Sequence, residues 1–125
     1  MKKILVVDDD PVLQRILVDR LGHRGYEVKG VLDGIDAMVA VRKEVPDLIL
    51  LDIMMPELNG YEVCRVIKFD PTLKHIPIIL LTGRDQELDP KILSIMGIEY
   101  MHKSASPQDL LALIDKVLST PSSNA

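Results

Sequence analysis

The chain has 125 residues, 47% of them hydrophobic but only 3% aromatic, so one domain with a core of Leu, Ile, Val and Met is expected. A net charge of −4 with no long basic run argues against direct binding to nucleic acid or an anionic membrane surface. The single cysteine, Cys64, excludes an internal disulfide, and no apolar stretch approaches membrane-spanning length.

The first segment, MKKILVV, has the basic start of a secretory signal, but its apolar run Ile4–Val7 ends at Asp8, too short for a signal core. A cytoplasmic protein is therefore expected. Ile4–Val7 instead reads as a buried strand, followed by Asp8, Asp9 and Asp10. Asp10-Pro11 suits a helix cap followed by proline in the first turn, and Leu13, Ile16, Leu17 and Leu21 fall on one helical face. Gly25 suits the helix end. A weaker strand, Glu27–Leu32, precedes a helical face of Gly34, Ala37, Met38 and Val41. The strong strand Leu48–Leu51 runs into Asp52, and Gly60, Val63, Cys64 and Ile67 form the next helical face. The fourth strand, Ile78–Leu81, ends at Thr82 and Gly83; Leu88, Ile92, Ile95 and Met96 form a fourth apolar face, closed by Gly97. The fifth strand, Ile98–Met101, leads to Lys103. Ser106-Pro107 then opens a helix carrying Leu110, Leu113, Ile114 and Val117. Five βα units in succession imply an α/β, doubly wound parallel sheet of five strands in a single domain over residues 1–119. TPSSNA, residues 120–125, reads as a flexible tail or linker stub.

Ligands of open α/β sheets bind beyond the carboxyl ends of the strands. Four of the five runs deliver polar groups there: Asp8, Asp9 and Asp10, then Asp52, Thr82 and Lys103. Strand-to-helix turns often carry Asp or Thr merely as caps, and Asp10 is assigned to that role. Asp52 and Lys103 do not immediately precede helices, so capping does not account for the set. Two carboxylates ~5 Å apart repel by roughly 3 kcal/mol at an effective dielectric of ~20, so either a proton or a cation must sit among them. Carboxylate oxygens with open water positions suit Mg²⁺, which then binds phosphate. With Lys103 as a point charge and Thr82 as a hydroxyl donor, the set points to phosphoryl transfer with Asp52 as nucleophile.

VVDDDP, LLDIMMPELNG, ILLTG and YMHK, in this order and at these intervals, resemble the receiver domain of two-component response regulators over residues 2 to 119. The resemblance implies a flavodoxin-like strand order, 2-1-3-4-5. It implies that Asp52 accepts a phosphoryl group from a phosphohistidine on a sensor histidine kinase or histidine phosphotransfer protein. Asp9, Asp52 and the backbone carbonyl of Met54 would hold Mg²⁺ (or Mn²⁺), with Asp8 acting through water. Lys103 and Thr82 would contact phosphoryl oxygens. Tyr100 would fall at the aromatic switch position and turn inward behind Thr82. The surface of the fourth helix, fifth strand and fifth helix would then change its preference for an output domain or downstream protein. Gly83, Met54 and Arg84 would tune access to the acyl phosphate. Such a domain is a signalling module rather than an enzyme, with no nucleic-acid or membrane binding of its own.

One position departs from the family: Ser104 stands where proline usually follows the lysine through a cis bond. A cis bond before a non-proline residue costs about 3–4 kcal/mol, so Lys103–Ser104 is expected to be trans, with a reshaped loop that alters how Lys103 reaches the pocket. His23, His75 and His102 lack metal-ligand spacing and are read as surface or packing residues, although His102, directly before Lys103, could lie near the pocket rim. Cys64 is read as core. Of the methionine pair after Asp52, one is read as packing and one as the backbone ligand. Glu57, Asp85, Glu87 and Asp89 are read as a solvated face. Two rival functions are weighed. A haloacid-dehalogenase-like phosphohydrolase would use Asp8 as nucleophile and Asp10 as general acid, with Thr82 and Lys103 in its second and third motifs. It lacks a later acidic pair at a strand end, because Asp109 and Asp115 fall in the last helical pattern. A receiver-like module used only for docking is the other.

Overall fold

The computed structural model describes residues 1–53, 60–83 and 90–119. Along the chain run β1 (Lys3–Val7), α1 (Pro11–His23), β2 (Glu27–Val31), α2 (Gly34–Lys43) and β3 (Leu48–Asp52). They are followed by α3 (Gly60–Phe69), β4 (Ile78–Thr82), α4 (Pro90–Ile95), β5 (Ile98–His102) and α5 (Pro107–Ser119). The five strands form one parallel sheet in the order β2-β1-β3-β4-β5, the doubly wound arrangement expected from the alternating pattern.

Side chains alternate across a strand, so each apolar run supplies two cores. Leu5, Val7, Ile49, Leu51, Ile78 and Leu80 pack against Ala37 and Val41 of α2, Val63 and Ile67 of α3, and Leu93 of α4. Their neighbours Ile4, Val6, Leu48, Leu50, Ile79 and Leu81 pack against Leu17 and Leu21 of α1 and Leu110 and Ile114 of α5. The sheet is thus covered by α2, α3 and α4 on one face and by α1 and α5 on the other. β3 and β4 are buried at every residue.

The capping signals hold. Asp10 Oδ1 accepts from the amides of Val12 and Leu13 at 3.0 and 3.3 Å, and Ser106 Oγ accepts from the Asp109 amide at 3.1 Å. Gly25 and Gly97 follow α1 and α4 with φ of 92° and 72°, the left-handed conformation that favours glycine. Asp33 caps α2 by accepting from the Asp36 amide at 2.7 Å.

Three expectations need correction. The apolar face of α4 is not the one formed by Ile92 and Ile95, which are 54% and 85% exposed; Leu93 is the buried residue. The helix is only six residues long, too short for a helical period to settle its buried side. β5 is not a fully buried strand. It lies at the sheet edge, where Glu99 and Tyr100 are exposed. At the opposite edge β2 ends at Val31, and Leu32, read as its last residue, is exposed outside it. Leu88, assigned to the fourth helical face, and the 120–125 tail lie outside the described residues.

Several polar contacts fix elements to one another. Asp47, just before β3, accepts from the Lys3 amide through Oδ2 at 2.8 Å, and its own amide donates to the Lys3 carbonyl at 2.8 Å. Tyr26 and Arg24 both donate to the carboxylate of Asp115, joining the α1–β2 turn to the far half of α5. Lys68 of α3 donates to the carbonyls of Lys74 and Ile76 at 3.1 and 2.6 Å, closing the turn before β4.

At Gly60, the first residue of α3, an added Cβ would stand 2.6 Å from the Asp52 carbonyl oxygen and 2.8 Å from the Ile53 Cα. Both neighbours are backbone, so neither can swing aside. Gly60→Ala is expected to destabilise the protein by about 1–3 kcal/mol in urea unfolding, by pushing α3 away from the end of β3.

Candidate functional site

The carboxyl ends of the three central strands and the turn after β5 bring the charged groups together. Asp8 and Asp9 follow β1, Asp52 is the last residue of β3, Thr82 the last of β4, and Lys103 follows β5 directly. Asp8, Asp52 and Thr82 are the buried polar residues among those described, at 1%, 1% and 5% exposure. Asp9 is exposed. Asp8, Asp9 and Asp52 each offer a carboxylate oxygen, and the three atoms lie within 4.8 Å of one another.

Lys103 answers part of that negative charge. Its Nζ donates to Asp52 Oδ2 at 2.9 Å and lies 3.6 Å from Asp8 Oδ2. The backbone reinforces the reach, because the Lys103 amide donates to the Thr82 carbonyl at 2.7 Å. Burial alone would pull the Lys103 ammonium down; the bond to Asp52 and the charges of Asp8, Asp52 and Asp9 outweigh it and raise its pKa. A buried ion pair of this kind holds only while both partners stay charged.

Asp8 is the strained member. Its Oδ1 accepts from the Asp10 amide at 2.9 Å, but Oδ2 is buried and without a hydrogen bond. Burial raises its pKa above the ordinary aspartate value of 3.8. The charges of Asp52 and Asp9 add to the rise, while the Asp10 amide and Lys103 oppose it. A buried carboxylate oxygen with no hydrogen bond, on a residue beside two further carboxylates, fits a bound cation, and the donor set is all oxygen. Asp8, Asp9 and Asp52 could hold it.

Most residues named from the sequence are therefore placed. Asp8, Asp9, Asp52 and Lys103 converge, with Thr82 supplying the carbonyl that anchors Lys103. Gly83 is exposed just beyond β4, with nothing within 4 Å of where a Cβ would stand. Tyr100 lies on edge strand β5, 45% exposed and paired in register with Leu80. Met54 and Arg84, and with them Met55, Glu57, Asp85, Glu87 and Asp89, lie outside the described residues. Asp10 caps α1, and Asp115 is held by Tyr26 and Arg24, which leaves the phosphohydrolase reading without its general acid or its later acidic pair. Cys64 is 2% exposed and burial pushes its thiol up to about 12, as a core cysteine requires.

Lys103–Ser104 is trans, as expected. The lysine nevertheless reaches Asp52 directly. His102 was read as a surface residue and is exposed, but its ring also bonds to Ser104, a contact that no spacing rule signals.

Three converging carboxylates, two of them buried, countered by one lysine at the strand ends of this sheet define a phosphoacceptor signalling domain. Residues 4–115 match the family described as the response regulator receiver domain, and the chain belongs to that family. It is 42% identical over 118 residues to the probable transcriptional regulator ycf27 of Porphyra purpurea, covering 94% of this chain and 47% of that protein. It is 43% identical over 97 residues to the response regulator PleD of Caulobacter vibrioides, covering 78% of this chain and 20% of that protein. The chain thus spans half or less of the length of these relatives. Among solved structures, the response regulator TrrA of Thermotoga maritima, determined in complex with Mg²⁺-BeF, superposes with a TM-score of 0.82 at 35% identity, covering 94% of this chain and 100% of that one. Among the described residues, no helix is long and apolar enough to cross a membrane.

The charge state of Asp8 should govern the metal-free protein. Its pKa is raised on folding, so its contribution to stability is present at low pH and is lost as pH rises from the ordinary aspartate range through the raised value. Asp8→Asn removes that charge and retains a side-chain oxygen for the Asp10 amide. With chelator present, it is expected to increase stability at neutral pH by about 1 kcal/mol in urea unfolding and to flatten the pH dependence below neutrality.

Proposed function

We infer that Asp52 is the phosphoacceptor and that the phosphoryl group comes from a phosphohistidine on a sensor histidine kinase or histidine phosphotransfer protein. The observation that carries this reading is the convergence of three carboxylates on one lysine, with Lys103 Nζ 2.9 Å from Asp52 Oδ2. A carboxylate oxygen of Asp52 forms the new O–P bond as the P–N bond of the phosphohistidine breaks, and the bonding pair leaves with the imidazole. Lys103 offsets the negative charge that the acyl phosphate brings to a buried position. Thr82, at the end of the neighbouring strand, donates its hydroxyl to a phosphoryl oxygen. Gly83, exposed with nothing within 4 Å of where a Cβ would stand, leaves the approach open.

Asp9 and Asp52 would hold Mg²⁺ or Mn²⁺, with Asp8 contributing through water; the Met54 carbonyl that the family resemblance adds to this set lies outside the described residues. When bound, the ion supplies positive charge against both the carboxylates and the phosphoryl oxygens. The buried Asp8 Oδ2 and the metal-bound TrrA relative support this assignment. The chemistry is self-catalysed transfer to and from the domain's own aspartate, so the domain signals rather than turns over a substrate.

The output surface is α4, β5 and α5. Ile92, Ile95 and Tyr100 are exposed there, and Tyr100 would turn inward when Thr82 moves. The phosphoryl group biases this surface between two states, by no more than the difference in contacts it makes in each. The receiver spans residues 1–119, with 120–125 as tail or linker, and its recipient is an output domain or a downstream protein.

Acetyl phosphate with Mg²⁺ is expected to label the protein on Asp52, and chelator or Asp52→Asn should abolish labelling. Phosphopeptide mapping by mass spectrometry would read the site. An adduct on Asp8 would support the phosphohydrolase chemistry instead, and no label under any condition would support a docking module.

A further inference from the structure

The turn that carries Lys103 is held by one side chain to which no role has so far been given. β5 ends at His102, and the Lys103 amide makes its bond to the Thr82 carbonyl. The chain then turns: the Ala105 amide donates to the His102 carbonyl at 2.9 Å, placing Lys103 and Ser104 at the two central positions. Inside such a turn the amide of the second central residue has no sheet partner. Here the Ser104 amide donates to His102 Nδ1 at 3.0 Å, and Ser104 Oγ lies 2.6 Å from the same nitrogen.

An amide nitrogen can only donate, so Nδ1 must be the unprotonated nitrogen of the ring, with the proton of the neutral imidazole on Nε2. A side-chain acceptor taking the amide two residues ahead is the geometry by which Asn and Asp close turns. His102 therefore grips the turn twice: its carbonyl takes the Ala105 amide and its ring takes the Ser104 amide, the N–H of the Lys103–Ser104 peptide. Lys103 is fixed on both sides: its own amide sits on Thr82, and the amide that follows it sits on His102. His102 and Ser104 are both exposed, so the contact does not serve core packing.

We propose that His102 is a positioning residue for the phosphoacceptor site, its Nδ1 holding the turn that aims the Lys103 ammonium at Asp52. The inference rests on the reading of Asp52 as acceptor. His102 is paired across the sheet with Thr82, and its ring acts through the direction it gives Lys103. A freely turning Lys103–Ser104 peptide lets Nζ wander from the place where charge develops, which slows transfer. It leaves cation binding intact, because the cation is held by residues on other strands.

The test compares wild type, His102→Ala and His102→Asn in the rate of Asp52 labelling by acetyl phosphate, with Mg²⁺ affinity and thermal melting measured alongside. His102→Ala should slow labelling about tenfold with Mg²⁺ affinity and melting temperature close to wild type. His102→Asn, whose Oδ1 can take the Ser104 amide, should recover most of the rate. Side-chain ¹⁵N spectra of the wild type should show His102 with Nδ1 unprotonated. Equal labelling of wild type and His102→Ala overturns this inference alone, as does a failure of Asn to rescue or an equal loss of Mg²⁺ affinity. No labelling of the wild type on Asp52 overturns the acceptor reading, and this inference with it.

Discussion

The ion pair between Lys103 and Asp52 is the interaction on which the arrangement of this end of the molecule depends. Asp52 closes a strand whose other four residues are apolar and essentially inaccessible, and Asp8 closes a second such strand beside it. Two carboxylates in so dry a place repel strongly unless positive charge is near. One ammonium within 3.6 Å of both is a partial remedy, and Asp8 keeps an oxygen with no hydrogen bond. The site is thus left short of positive charge by its own construction. That shortfall is what a divalent ion or a transferred group with its counter-ion can use. The cost of holding the carboxylates together is borne by packing elsewhere, chiefly by the two aliphatic cores that fix β1 and β3 side by side.

Most of this was legible in the sequence because the strongest signals are of the least ambiguous kind. Short apolar runs bounded by charged or polar residues, proline or glycine mark the strands. Their carboxyl ends collected Asp8, Asp9, Asp52, Thr82 and Lys103, which the fold then brings to one edge. Caps at Asp10 and Ser106 and left-handed glycines at 25 and 97 follow from local stereochemistry, so they could be read without knowing what packs where.

What was not legible depends on the third dimension. The buried side of α4 is set by where β4 and β5 lie beneath it, and a six-residue helix has too few apolar positions to declare it. The edge position of β5 is a property of the sheet, not of the run IEYMH. The Tyr26 and Arg24 bonds to Asp115 join residues about ninety positions apart, and nothing local marks them. The ring of His102 bonding to Ser104 is local, but histidine is not among the residues whose turn preferences are usually read. Its place before Lys103 sets it near the pocket rim, apart from His23 and His75, but does not signal the bond to Ser104.

β3 raises a question of alignment. In a strand with one wet face, a slip of one residue turns apolar side chains into water, and the error is punished at once. Leu48, Ile49, Leu50 and Leu51 are fully buried on both faces, so this run gains nothing in hydrophobic terms from one alignment over the next. The polar residues at its two ends supply the missing information. Asp47 is tied to the Lys3 backbone from both directions at one end, and Asp52 must stay where an ammonium can reach it at the other. The same carboxylate that gives the domain its chemistry therefore also acts as an end-stop for a strand that is apolar on both faces.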